Sequence, residues 1–177
     1  FSRNLLLSTE FNARVYGDFN NTISGPGSVM EHVRTDLVEY LKEDDIVISR
    51  MQLDYIWSPK KDTYAKLSGG IYETMFAGYG IETLYKPFDK NYSLGFEIFH
   101  VKQRSFDQRF SFKDYGTVTG HLNFGYSLPL GIESNISYGR YLAKDDGFTF
   151  DLGRRTRSGF KAGIYFTRTN VSAETFG

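Results

Sequence analysis

Three histidines, His32, His100 and His121, are the most versatile acid–base groups in this sequence. A histidine activates a serine nucleophile when the two lie within hydrogen-bond reach. His121 shares one face of an alternating run with Asn123, and the serine on that run is Ser127. Six residues of extended chain separate His121 from Ser127 by roughly 20 Å, at about 3.3 Å per residue, so this strand holds no dyad of its own. A serine on a neighbouring strand stays open as a partner. The preferred reading is a polar histidine on a wet face. Asp44-Asp45 and Asp145-Asp146 invite comparison with calcium loops, but no EF-hand spacing is present, and they read as solvated loop carboxylates. Cysteine is absent, which removes thiolate ligands and a cysteine nucleophile. No Gly-x-Ser-x-Gly run, phosphate loop or zinc motif is present. The sequence therefore predicts no catalytic residue, no cofactor and no metal site.

A second kind of chemistry is spread along the chain. Arg14, Arg50, Gln52, Asp54, Lys66, Tyr72, Glu97, His121, Asn123, Asn135 and Asp151 mix donors, acceptors and both charges. Each belongs to the polar half of an alternating run. A hydroxyl-rich polymer passing such a face meets many weak, replaceable hydrogen bonds, and tight binding would stall it. The other reading is that these side chains pair with one another and fill a small barrel.

The elements that position them are strands. Val118, Gly120, Leu122, Phe124 and Tyr126 alternate with Thr117, Thr119, His121, Asn123, Gly125 and Ser127, and a period of two is a strand. Equivalent runs are Asn4 to Gly17, Ile46 to Trp57, Tyr64 to Thr74, a short Ile81 to Tyr85, Tyr92 to Ile98, Ile132 to Gly139, Phe148 to Gly153 and Phe160 to Thr167. Met75 to Gly80 reads as a glycine-rich loop, Lys144-Asp145-Asp146-Gly147 as an Asp-Gly hairpin turn, and 99–116 as a long charged loop carrying Phe106, Phe110, Phe112 and Tyr115. After Gly25-Pro26-Gly27, the capping-box pattern Ser28-Val29-Met30-Glu31 opens an amphipathic helix over Val29 to Lys42. The helix covers a sheet rim or plugs a pore.

The 177 residues suit a single unit over 1–177, and 21 basic against 21 acidic residues argue against nucleic-acid binding. No run of about 18 apolar residues exists to cross a membrane as a helix. A mean hydropathy of −0.39 fits barrel strands, whose lipid-facing and lumen-facing residues average out. Tyr55, Trp57 and Tyr64 flank a turn where an interfacial girdle would sit. The turns at 58–62, 86–91, 128–131 and 154–159 are short, whereas the other side holds the longest connections, 18–45 and 99–116, beside the brief 75–80 and 143–147. A barrel sorts its loops by side in this way, and a β-sandwich has no reason to. About nine strands is an odd count, so the expectation is a piece of a larger barrel. A start at Phe1 points to a mature or excised segment.

Several runs carry a family resemblance. Glu43-Asp44-Asp45-Ile46-Val47-Ile48-Ser49-Arg50-Met51-Gln52-Leu53-Asp54-Tyr55, Met75-Phe76-Ala77-Gly78-Tyr79-Gly80-Ile81-Glu82 with Tyr85-Lys86-Pro87-Phe88, Gln103 to Leu122, Gly139-Arg140-Tyr141-Leu142-Ala143-Lys144-Asp145-Asp146-Gly147, Asp151 to Arg155 and Val171 to Glu174 resemble the YjbH/GfcD-like outer-membrane proteins. The resemblance implies a β-barrel lipoprotein of Gram-negative bacteria linked to export of exopolysaccharide or capsule. The lipidated cysteine and signal of whole members are not in this sequence.

The combined expectation is an all-β, antiparallel transmembrane barrel with one short helix in a long loop. Its place is the bacterial outer membrane, and its role is non-catalytic export of an extracellular polysaccharide. Its neighbours are membrane lipid or lipopolysaccharide, the polysaccharide and other exopolysaccharide-export proteins. In the charged loop, Arg104, Phe106, Arg109 and Phe110 join the candidate contact residues. The alternatives are a soluble periplasmic glycan-binding sheet and an outer-membrane hydrolase.

Overall fold

The computed structural model describes residues 4–14, 36–42, 46–156, 158–172 and 175. Nine strands follow in chain order: β1 (Leu5–Ala13), β2 (Ile46–Lys60), β3 (Thr63–Ile71), β4 (Phe76–Tyr85), β5 (Tyr92–Arg104), β6 (Phe112–Leu128), β7 (Ile132–Arg140), β8 (Asp146–Arg155) and β9 (Lys161–Thr169). A short helix, α1 (Leu37–Lys42), lies between β1 and β2. Each strand pairs antiparallel with the next, and the order in the single sheet is the order in the chain. Among the described residues the sheet is open, with β1 and β9 at its two edges. The all-β antiparallel class and the short helix are as the alternation predicts.

Register carries the alternation across the whole sheet. Trp57, Ala65, Thr83, Phe96, Leu122, Tyr138 and Phe148 stand in one cross-strand row, and Tyr85, Leu94, Phe124, Ile136, Phe150 and Phe166 in another. Both rows lie on the same face, because the side-chain period is two. One residue along, the row is Ile56, Lys66, Glu82, Glu97, His121 and Gly139, on the opposite face. The sheet thus has an apolar face and a polar face. Leu122, Phe124, Ile136 and Tyr138 remain between 44% and 61% exposed, so among the described residues no second layer covers the apolar side. Tyr55 and Trp57, with ring centroids 5.5 Å apart, sit on it near the short-turn rim, as do Tyr85 and Tyr92. Tyr64, expected among these aromatics, falls on the polar face opposite Leu84.

The structure corrects several boundaries. Residues 75–80 are mostly strand rather than loop: β4 begins at Phe76, and Gly78 and Gly80 pair with Val101 and Phe99. A methyl group on Gly78 would sit 2.0 Å from the His100 carbonyl oxygen, so glycine here permits close strand approach, not a turn. The long loop expected over 99–116 shrinks to 105–111, because β5 runs on to Arg104 and β6 starts at Phe112. Its polar residues hid the strands, since Gln103 and Arg104 are buried beneath a cap rather than solvated. Asp146 and Gly147 belong to β8; the turn is 141–145, and Lys144 (φ 65°) takes the left-handed position. The loops are consequently less sorted than expected, and the asymmetry rests on the helix-bearing connection between β1 and β2. Of the predicted helix, Leu37–Lys42 is observed; 29–35, the capping box at Ser28 and Glu31, and Val15 to Gly17 lie outside the described residues.

Candidate functional site

The buried core is not sandwiched between layers. It sits at one end of the polar face, where Tyr40, Met75, Phe76, Val101 and Tyr115 pack together against Tyr72, Phe99, Phe106 and Leu142. Four segments converge there: α1, the 72–75 connection, the 105–111 loop and the 141–145 turn. Tyr40 places its hydroxyl on the Arg104 carbonyl, its ring meets Phe106 edge-on at 5.1 Å, and its carbonyl accepts from Gln108 Nε2 at 2.7 Å. Tyr115 donates to the Leu142 carbonyl at 2.5 Å. The Asp36 carboxylate, at the entry to α1, accepts from Gln103 Nε2 at 2.9 Å and lies 3.4 Å from Lys113 Nζ. This assembly caps one end of the polar face.

Arg104 holds the cap. Its side chain is fully buried, and its guanidinium donates to the carbonyls of Ile48, Glu73, Thr74, Gln108 and Arg109. A planar cation with fixed donors suits several carbonyls at once. Arg104 is therefore a packing residue of the cap and not a contact side chain, a correction to the sequence reading. Phe106 is likewise turned inward onto Tyr40, beneath the Lys113 ammonium at 3.7 Å. Arg109 and Phe110 stay at the surface, Phe110 with 69% exposure.

Burial pushes the Tyr40 phenol above its ordinary value, because the charged form would lose its hydration. A raised folded-state value means that the cap's stability is fully present below the unfolded phenol's value of about 10 and fades as pH rises through the folded one. Hydrogen exchange of residues 36–42 should therefore accelerate above about pH 10 beyond the intrinsic base-catalysed rate. Tyr40→Phe should abolish that extra acceleration while lowering protection at neutral pH.

Away from the cap, the polar face is paired rather than vacant. Lys66 and Glu82 form an ion pair across β3 and β4. His121 Nδ1 lies 2.9 Å from Glu97 Oε1 across β5 and β6, with the imidazole edge-on to Tyr141 at 4.7 Å. Gln52 Nε2 donates to Asp54 Oδ1 at 2.7 Å, and both are buried. Tyr72 shares a 2.8 Å hydrogen bond with Ser68, Asn123 accepts from Ser137 at 2.5 Å, and Arg50 faces Glu10. Arg14, past the end of β1, donates to the Leu41 carbonyl and so ties to α1. Asp151 stands between Asn135 and Tyr165. The register unites Lys66, Glu97 and His121 in one row and leaves Arg104 and Phe106 in the cap.

Sequence reasoning missed Glu82, Gln108 and Asp36 as partners. Glu82 was legible only once β4 was recognised as a full strand in register with β3. Lys66 and Glu82 are each about 30% exposed, so their attraction is damped by solvent but not lost. A double-mutant cycle of Lys66→Met and Glu82→Gln should give a coupling of about 0.5–1 kcal/mol, read from urea unfolding midpoints.

A histidine oriented by a carboxylate is half of a hydrolytic triad, and a serine within reach of the imidazole would supply the rest. The side chain seen against His121 on its other side is an aromatic ring, and no group of three or more metal-binding residues exists among the described residues. Asp145 is buried in the 141–145 turn, not solvated as expected.

Comparison with known proteins adds a family. Residues 1–177 match the family model YjbH, described as "Exopolysaccharide biosynthesis protein YbjH". Among curated proteins, the "Uncharacterized lipoprotein YjbH" of Escherichia coli (strain K12) is 37% identical over 170 residues, covering 93% of this chain and 24% of that protein. The chain thus spans about a quarter of that relative's length. No solved structure matches.

Proposed function

Because the chain belongs to the YjbH family of exopolysaccharide biosynthesis proteins, we propose that it forms part of the wall of an outer-membrane β-barrel taking part in polysaccharide export. The observation that carries this reading is the register, which puts an uncovered apolar face against a continuous polar one. In water, a contiguous face bearing Leu53, Leu67, Phe96, Leu122, Phe124, Ile136 and Phe166, each more than 40% exposed, is a kind of patch that soluble monomers rarely leave uncovered. Against acyl chains it costs nothing. The backbone groups of β2–β8 are already satisfied by their neighbours, as a bilayer requires. β1 and β9 run in the same direction in this meander, so further strands complete the wall with antiparallel pairs at both edges.

The polar face then lines the lumen, and the exported polymer, exopolysaccharide or capsule, passes along it. Lipid and lipopolysaccharide cover the other side, and further exopolysaccharide-export proteins deliver the chain. The role is non-catalytic, with His121 pairing to Glu97 as part of the lining. The relative's description as a lipoprotein supports a membrane location.

Fractionation tests the reading. The protein should stay with outer membranes through a carbonate wash and need detergent for extraction; release into the wash would favour the soluble glycan-binding alternative. Cells lacking it should show less surface polysaccharide, and unchanged polysaccharide would contradict a role in export. Loss of a measurable hydrolysis on His121→Ala would overturn the non-catalytic assignment.

A further inference from the structure

We propose that Asn135, Asp151, Lys161 and Tyr165 form a carbohydrate subsite on the polar face that accepts a neutral hexopyranose unit; it rests on the reading of that face as the polymer's path. The residues converge by register. Asp151 lies directly across from Asn135 on one side and Tyr165 on the other, so three side chains of different chemistry stand in one row. Gly125 continues the row beyond Asn135, and Ser93 follows it on β5, four strand spacings or about 19 Å from Tyr165 and within reach of the next sugar of a polymer rather than the same one. A methyl group on Gly125 would lie 2.5 Å from Ser93 Oγ and 3.7 Å from Asn135 Oδ1, so both polar atoms lean over the same bare backbone. In the adjacent row, a methyl group on Gly153 would lie 3.6 Å from Lys161 Cε and 4.0 Å from Asp151 Oδ1. The lysine stem and the carboxylate therefore approach one another over a second glycine.

Tyr165 supplies the recognition element. It is 75% exposed, and the residues that precede it in its cross-strand row, Asp151, Asn135 and Gly125, are polar or small. Its ring presents an apolar plane to the C–H face of a pyranose while its hydroxyl stays in water. The carboxylate accepts from sugar hydroxyls, the amide both donates and accepts, and the ammonium donates. Asp151 and Lys161, with Arg155 opposite the lysine and Glu133 opposite Gly153, make two negative and two positive charges, so the local field favours neither an anionic nor a cationic polymer. Weak binding by one ring and a few hydrogen bonds fits a site from which the sugar must also leave.

Saturation-transfer difference NMR on the detergent-solubilised protein, with maltoheptaose as the probe, tests this. Transfer to the pyranose ring protons is expected, with a Kd on the order of 1 mM. Tyr165→Ala should weaken binding at least fivefold and Tyr165→Phe less than twofold. Tyr138→Ala, on the apolar face, should leave it unchanged, and circular dichroism should confirm that all three variants fold. Absence of transfer in the unmodified protein, equal binding by Tyr165→Ala, or tighter binding of an oligogalacturonate would each overturn the proposal. A protein that needs detergent yet shows no transfer overturns the subsite alone. A protein that is soluble without detergent and binds maltoheptaose through Tyr165 overturns the barrel alone.

Discussion

Arg104→Ala is expected to unlatch the cap, lowering its stability by about 2–5 kcal/mol, the range for truncating a large buried side chain and leaving buried acceptors unsatisfied. Two costs add. The carbonyls of Ile48, Glu73, Thr74, Gln108 and Arg109 lose a shared donor, three of them with bonds of 2.9–3.3 Å to a single guanidinium nitrogen. The vacated volume also lies next to Met75 and Phe76, both fully buried, which cannot collapse freely into it. Arg104→Lys should recover little, because one ammonium with three donors cannot reach carbonyls from three chain segments. Hydrogen exchange of 36–42, 72–75 and 105–111 would read the loss directly. If those segments keep their protection in Arg104→Ala and the urea midpoint moves by less than the equivalent of about 1 kcal/mol, the latch is not where the cap's stability resides.

Leu122→Arg should be the most damaging single change on the sheet itself. Leu122 stands mid-row on the apolar face between Phe96 and Tyr138 and is 61% exposed. Under the proposed reading Leu122 faces lipid near the bilayer centre, where an arginine costs about 2–4 kcal/mol. Asn123→Arg places the same side chain one residue away but on the polar face, where the expected cost is below about 1 kcal/mol. Folding equilibria in lipid vesicles compare the two. Equal penalties would mean that the two faces meet the same surroundings, and the lipid assignment would fail.

The regular part of the fold was open to reading, and the irregular part was not. Val118 to Tyr126 alternates without interruption, and β6 lies there. Period two also sorted Gln52, Glu97, His121 and Asn123 onto one face, because orientation is a local property of a strand. Which of them touch is not local. The His121–Glu97 contact and the Lys66–Glu82 pair depend on register across turns, and the register of β4 was hidden by Gly78 and Gly80. Glycine signals a loop and a close strand approach equally well. The cap was hidden for a different reason. A charged run such as 102–104 reads as solvated, and only a tertiary partner such as α1 turns Gln103 and Arg104 into core. The Asp146-Gly147 pair misled similarly, since the left-handed residue the turn needs is Lys144.

The central claim is that one face of this sheet meets lipid while the other meets water and polymer. The chain has no cysteine, so single cysteines can be introduced along β6 without interference. A charged, membrane-impermeant maleimide applied to the protein in intact outer membranes should label positions 119, 121 and 123 and spare 118, 122 and 124. Detergent denaturation should then render all six equally reactive. Uniform labelling in the membrane, or preferential labelling of 118, 122 and 124, would contradict the account.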